Sequence, residues 1–191
     1  MKCSWTTGLA TIAFSLGAAG AIAAGKPGSL LQAHLRGFQE VPSVSTAATG
    51  EFRARISKDE QSIEFSLTYE NLQNTVTQAH IHVAQPGVNG SIVIWLCGTA
   101  SNPGPAGTQT CPQTAKGVTT VTGKITAANV VDGGTASQLI LAGELDEVIA
   151  AIRGGVAYAN VHSTPLTTGG EIRGQIKVTD GNQDKGKDDN D

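Results

Sequence analysis

The sequence has 191 residues, of which 39% are hydrophobic and only 4% aromatic, and its formal net charge at pH 7 is −3. Because 13 basic residues stand against 16 acidic ones and form no basic stripe, we expect no nucleic acid partner. The 24 glycines and the scarcity of aromatic residues are typical of short strands joined by tight turns.

The first 24 residues have the layout of a secretory signal peptide. Lys2 provides a short positive region, residues 9–22 are mostly apolar and small, and Ala21-Ile22-Ala23 forms an A-x-A cleavage site. The apolar stretch is too short and too rich in Gly and Ala for a convincing membrane span, although a retained anchor is the alternative. We therefore predict that residues 1–24 are removed and that the mature chain is secreted or periplasmic, without a membrane span.

The rest of the chain divides into one domain and a tail. Residues 29–179 are long enough to form a single domain with its own core. Residues 180–191 carry five acidic residues, two basic residues and no apolar one. This composition predicts a disordered acidic tail.

Most of the domain alternates between apolar and polar residues, as half-buried strands do. The alternation over residues 51–56 and 63–70 predicts two antiparallel strands with a polar turn between them. Further strands are predicted at residues 91–96, 118–125 and 139–141.

One stretch has a helical period instead. Apolar residues fall on one helix face, acidic residues occupy its first turn, and Gly154-Gly155 end it; the apolar residues are Leu145, Val148, Ile149 and Ile152. We predict an all-β fold, an antiparallel β-sandwich or barrel of the superoxide-dismutase-like or Ig-like type, with one short helix.

Two cysteines of the predicted domain, Cys97 and Cys111, bracket a loop rich in Gly, Pro and Thr. In an oxidising compartment such a pair predicts a disulfide. Closing a loop of this length stabilises a fold by about 3 kcal/mol in the chain-entropy model. A redox pair or a thiolate metal site is the alternative, and the spacing disfavours it because it is far from C-x-x-C.

A faint internal repeat links two of the four histidines. His82 and His162 are each followed by a glycine eight residues later and an isoleucine ten residues later. The pattern predicts two similar hairpins, each with a histidine just before its turn. Chance and generic hairpin chemistry remain the alternatives.

Several segments, taken in order, resemble the CHRD domain, a module named after chordin and also found singly in bacterial exported proteins. The segments are LRGFQEVP at 35–42, TAATG at 46–50, AHIH at 79–82, YANVHS at 158–163 and GGEIRGQI at 169–176. The resemblance covers nearly the whole mature body and implies an antiparallel β fold, but no settled activity. Ser163 departs from the family pattern, which more often has Thr, and the loop between the cysteines looks like an insertion found in some members.

Three histidines are candidate metal ligands. His80 and His82 share one face of a predicted strand because strand side chains alternate, and His162 lies on a second strand. Imidazole suits copper and zinc, and a β scaffold holds such ligands rigidly. We predict a transition-metal site formed by His80, His82 and His162, with copper first and zinc as the alternative. His34 is a weak candidate for a fourth ligand.

The same residues also have a structural interpretation. A histidine pair on an exposed strand face is common and usually inert. Asn160 and His162 could bond to backbone in a turn and fix the hairpin, as part of a buried polar network.

Arg173 is a candidate catalytic residue. It shares a predicted strand face with Glu171 shortly after His162, and an arginine beside a metal would attract small anions. The arrangement is similar to the copper-containing superoxide dismutases, which combine an H-x-H strand, a disulfide-tied loop and a late arginine. Their bridging histidine and acidic zinc site have no counterpart in this sequence. An ordinary Glu171–Arg173 ion pair is the alternative.

Three functions therefore follow from the sequence. The first is an exported binding module with a histidine-rich copper site. The second is a copper-dependent oxidoreductase acting on superoxide. The third is a structural or adhesive extracellular domain without a metal.

Overall fold

The computed structural model describes residues 29–113, 117–133, 138–166 and 168–179. The predicted signal peptide and the predicted acidic tail lie outside the described residues. Among the described residues, none of the helices has the length and hydropathy that a bilayer crossing requires.

Within the described ranges the chain forms nine strands and one α-helix. The strands are β1 Leu30–Arg36, β2 Thr49–Ile56, β3 Ile63–Glu70, β4 Val76–Val83, β5 Ser91–Cys97, β6 Thr119–Ile125, β7 Ala157–Ser163, β8 Ile172–Gln175 and β9 Lys177–Thr179. Helix α1 spans Leu145–Arg153, and short 3-10 turns span Gly37–Gln39 and Ala127–Asn129.

The strands make a single antiparallel sheet in the order β5-β4-β7-β8-β1-β2-β3-β6, with β9 paired to β1. Strands β5 and β6 stand at the two ends of this order, yet they contact each other. The sheet therefore curves into a nearly closed barrel, and the predicted all-β fold is confirmed.

Four of the predicted strand segments are confirmed. β2, β3, β5 and β6 coincide within two residues with the predicted segments. The strand predicted at residues 139–141 is wrong, because Leu139 has a left-handed backbone with φ of 52° and the segment forms a loop.

Helix α1 is confirmed by its buried face. All four predicted apolar residues are buried, while acidic residues lie in the first turn and Arg153 lies in the last. This charge arrangement suits the helix dipole.

Strands β4 and β7 are covered on both faces, since nearly all of their residues are buried. All seven residues of β7 are buried. Ala157, Ala159 and Val161 belong to the apolar core, so their neighbours Asn160 and His162 must point to the opposite face. That outer face of the sheet carries the candidate site.

The two hairpins predicted from the repeat are present. β4 pairs with β5, β7 pairs with β8, and the two hairpins lie side by side because β4 also pairs with β7. The predicted disulfide joins Cys97 at the end of β5 to Cys111.

Candidate metal centre

The strand register brings polar residues together on the outer face of β4, β7 and β8. His80 on β4 lies opposite Asn160 on β7, and His82 lies opposite Tyr158. On the other side of β7, Arg173 of β8 also lies opposite Asn160. Asn160 therefore stands at the centre of a polar patch that spans three strands.

The three predicted ligand histidines converge. His80, His82 and His162 each offer a ring nitrogen within 4.8 Å of the other two. The ring centroid of His80 is 5.4 Å from that of His82 and 5.0 Å from that of His162. The three residues are exposed by only 0%, 8% and 4%, so the group is shielded from water.

The buried rings of His80 and His82 are uncharged at neutral pH. Burial, together with the neighbouring imidazoles, lowers the pKa of His80 to about 2. Burial lowers the pKa of His82 to about 4, against a small opposing effect of its bond to Gly90. A metal ion binds the neutral imidazole, so protons do not compete for these nitrogens near pH 7.

Several nitrogens in this group have no partner. Neither ring nitrogen of His80, nor Nε2 of His82, has a hydrogen-bond partner among the described residues. A buried polar atom without a partner costs about 1–3 kcal/mol, so such atoms need an explanation. A metal ion held between the rings would bind one nitrogen of each, and the donor set therefore fits a metal.

His82 is held by contacts on its other side. Its Nδ1 lies 2.9 Å from the carbonyl oxygen of Gly90. Its ring stacks on that of Tyr158, with the planes 1° apart and the centroids separated by 4.8 Å. A bond from one ring nitrogen to a backbone carbonyl fixes the tautomer and leaves Nε2 for a metal.

Asn160 contacts the group directly. Its Nδ2 lies 2.9 Å from Nε2 of His162, and within the described part of the chain its Oδ1 has no partner. It was noted in the sequence only as a possible turn-fixing partner of His162. Its central place follows from the register of β4, β7 and β8, which no local pattern reveals.

Glu40 is a buried acid that the sequence analysis did not single out as a site residue. It is 3% exposed, and burial raises its pKa to about 8 despite the nearby Arg173 charge. Its Oε1 and the Nδ2 of Asn160 both lie within 3 Å of the point that a Cβ on Gly170 would occupy. Glu40 stands within a segment that resembles the CHRD domain, and this was the only signal for it.

Arg173 lies beside the histidines but not among them. β7 lies between β4 and β8, so the ring of Tyr158 separates His82 from the guanidinium, whose Cζ is 3.7 Å from the ring centroid. Arg173 is 2% exposed and donates to Asn89 Oδ1 and to the Val88 carbonyl. These contacts give no support to an anion-guiding role, and its catalytic role stays a prediction.

The Glu171–Arg173 ion pair, which was the alternative interpretation of these two residues, does not form. Glu171 is fully buried and accepts hydrogen bonds from Thr46, from the Gln73 backbone and from Ser163. It therefore joins three separate segments next to the β7–β8 turn.

His34 is not part of the metal-ligand group. It lies on β1, its side chain is 68% exposed, and its Nδ1 is 4.0 Å from a carboxylate oxygen of Glu51.

Comparison with protein families identifies the fold family. The model of the CHRD domain matches residues 31–176, which is most of the chain. The chain belongs to the CHRD domain family. Comparisons with curated proteins and with solved structures found no match.

The CHRD domain match includes the whole polar patch. The three histidines, Asn160 and Glu40 all lie inside the matched residues. CHRD domain membership supports a binding module, and the three-histidine group is compatible with a metal site. Neither observation identifies the metal.

Proposed function

We propose that this protein is an exported CHRD-domain binding module that holds a single transition-metal ion, with copper favoured, on His80, His82 and His162. Its role is to store or carry the ion. Export is supported by the disulfide, which persists in oxidising compartments.

The observation that carries this proposal is the set of partnerless, uncharged imidazole nitrogens at one buried point. If these histidines served the fold alone, their buried nitrogens would be hydrogen-bonded, as most buried polar atoms are. At His80 both nitrogens lack a partner among the described residues, and at His82 Nε2 does. A bound cation would give one nitrogen of each ring a partner.

Copper is favoured over zinc on chemical grounds. Divalent copper stands above zinc in the affinity order for nitrogen ligands, and imidazole suits both metals. Metal–nitrogen bonds of about 2.0–2.1 Å require two ligand nitrogens to lie no more than about 4.2 Å apart. The ligand nitrogens of the three histidines now lie up to 4.8 Å apart, so small side-chain rotations would bring them to bonding distance when an ion binds.

Tryptophan fluorescence offers a direct test. The ring of Trp95 packs edge-on against His80, with centroids 4.3 Å apart. Divalent copper bound at the histidines should quench Trp95 fluorescence, with an endpoint at about one ion per chain. Elemental analysis of the protein purified from its native compartment should give about one metal ion per chain.

Two alanine variants separate the site from the one remaining histidine of the sequence. His80→Ala should abolish the stoichiometric endpoint, whereas His34→Ala should titrate like the wild type because that residue lies on the exposed part of β1. If the wild type purifies without metal and neither copper nor zinc raises its melting temperature, the proposal is wrong.

A further inference from the structure

The side chain of Asn160 faces all three histidines. The register places it opposite His80, and its Nδ2 lies 2.9 Å from His162 Nε2. Its amide also interacts with the His80 and His82 rings. The amide NH2 group thus lies against the His162 ring.

The polar atoms around this amide are poorly matched. An amide NH2 group offers two hydrogens and its oxygen offers two lone pairs. In the described ranges the Asn160 Oδ1 is buried without a donor, while nitrogens of His80 and His82 are buried without a partner. A cation at the centre, with the amide turned so that its oxygen faces the ion, would give the Asn160 oxygen and one nitrogen of each ring a partner.

We propose that Asn160 is the fourth metal ligand, through its Oδ1. When the ion binds, the amide flips by about 180°, so that its oxygen and its NH2 group exchange places. This inference rests on the proposed function. The NH2 group and the oxygen of an amide have nearly the same size, so the turn needs no extra space. The hydrogen bond between Asn160 Nδ2 and His162 breaks, and a metal–oxygen bond replaces it.

A fourth protein ligand has a consequence for function. Sites with four protein ligands hold a metal in place, whereas catalytic sites keep one position open for water or substrate. Coordination by Asn160 therefore closes the fourth position of a four-coordinate ion, which favours a site that holds the metal over a catalytic centre.

Zinc titration of the full-length protein tests the ligand. Asn160→Ala should bind zinc at least about 100-fold more weakly than the wild type, because loss of a residue that only supports a ligand already costs about 10- to 100-fold. Asn160→Asp should restore the affinity, because a carboxylate oxygen takes the place of the amide oxygen. Gln175→Ala is the matched control, since its amide lies on the same face of the sheet, on β8, but bonds to Ala84 and Gly155.

The zinc-loaded wild type supplies a readout that does not depend on the folding of a variant. Its crystal structure should show the Asn160 oxygen about 2.0–2.2 Å from the zinc. The inference is overturned if a water occupies that position with Nδ2 still on His162, or if Asn160→Ala binds zinc as tightly as the wild type. Failure of the wild type to bind any metal would instead overturn the proposed function.

Discussion

At the scale of single residues, two buried histidines and one buried acid make opposite contributions to the pH dependence of folding stability in the metal-free protein. In the unfolded chain His80 and His82 take up protons near pH 6.5. In the folded protein the pKa is about 2 for His80 and about 4 for His82, so both rings stay neutral to much lower pH. Stability is therefore present above pH 6.5 and lost as the pH falls. Glu40 has the opposite sign, because its pKa is about 8 when folded and 4.5 when unfolded.

The balance of these protons predicts a stability maximum near pH 6.5. Between pH 4.5 and 6.5 the unfolded chain holds two protons on His80 and His82, against one held by folded Glu40. Stability then rises with pH. Between pH 6.5 and 8 only the folded Glu40 holds a proton, so stability falls. Urea unfolding of metal-free protein at several pH values measures this curve.

Two near-isosteric variants show which residue causes the rise and which causes the fall of stability with pH. Glu40→Gln should flatten the decline above pH 6.5, and His82→Phe should flatten the rise below it while keeping the ring stack on Tyr158. A wild-type stability that is constant from pH 5 to 8 would contradict the prediction.

The sequence predicted the candidate histidine ligands better than the buried polar residues around them. His80 and His82 fall on one face because strand side chains alternate, and their spacing of two residues is visible in the sequence. Asn160 and Glu40 could not be recognised in this way. Glu40 follows a 3-10 turn after β1, far from the histidines in sequence, and only folding brings it to Gly170.

At the scale of elements, the β7–β8 turn controls the site through Gly170. Its φ is +88°, and a Cβ there would lie 2.6 Å from Glu40 Oε1 and 2.8 Å from Asn160 Nδ2. Gly170→Ala should therefore lower both the free energy of unfolding and the metal affinity, because the added carbon displaces two buried polar groups. Urea unfolding and copper titration measure the two effects.

Gly87 provides the matched control for that substitution. It also has a positive φ, +77°, but a Cβ there would meet no atom within 4 Å. Gly87→Ala carries only the backbone strain, about 1 kcal/mol, and should leave the metal affinity unchanged. Equal effects of the two substitutions would show that the contacts at Gly170 are unimportant.

The elements themselves were partly predictable. The alternating pattern located β2 and β3 because each has one face in the core and one in water. The same rule is weak for β7, whose outer face is covered as well, so its polar residues are buried and not exposed. In such a strand, the polar residues of the outer face mark a buried polar site and not a solvent-exposed face.

At the scale of the whole molecule, the Cys97–Cys111 disulfide should stabilise the fold without shaping the site. Reduction should lower the free energy of unfolding by about 3 kcal/mol, because the unfolded chain regains the freedom of the open loop. The metal content should stay the same, since neither cysteine belongs to the histidine group. Urea unfolding and elemental analysis with and without reductant measure both quantities, and loss of the metal on reduction would contradict this.

By itself, the sequence determined the all-β class, the short helix, the cysteine pair and the three histidines. These features depend on periodicity and on residue chemistry, which are local. The tertiary structure decided that β7 lies between β4 and β8, and hence that His162 and Asn160 meet His80 and His82. Strand order depends on how distant segments share one core and one set of hydrogen bonds, and no local pattern encodes it.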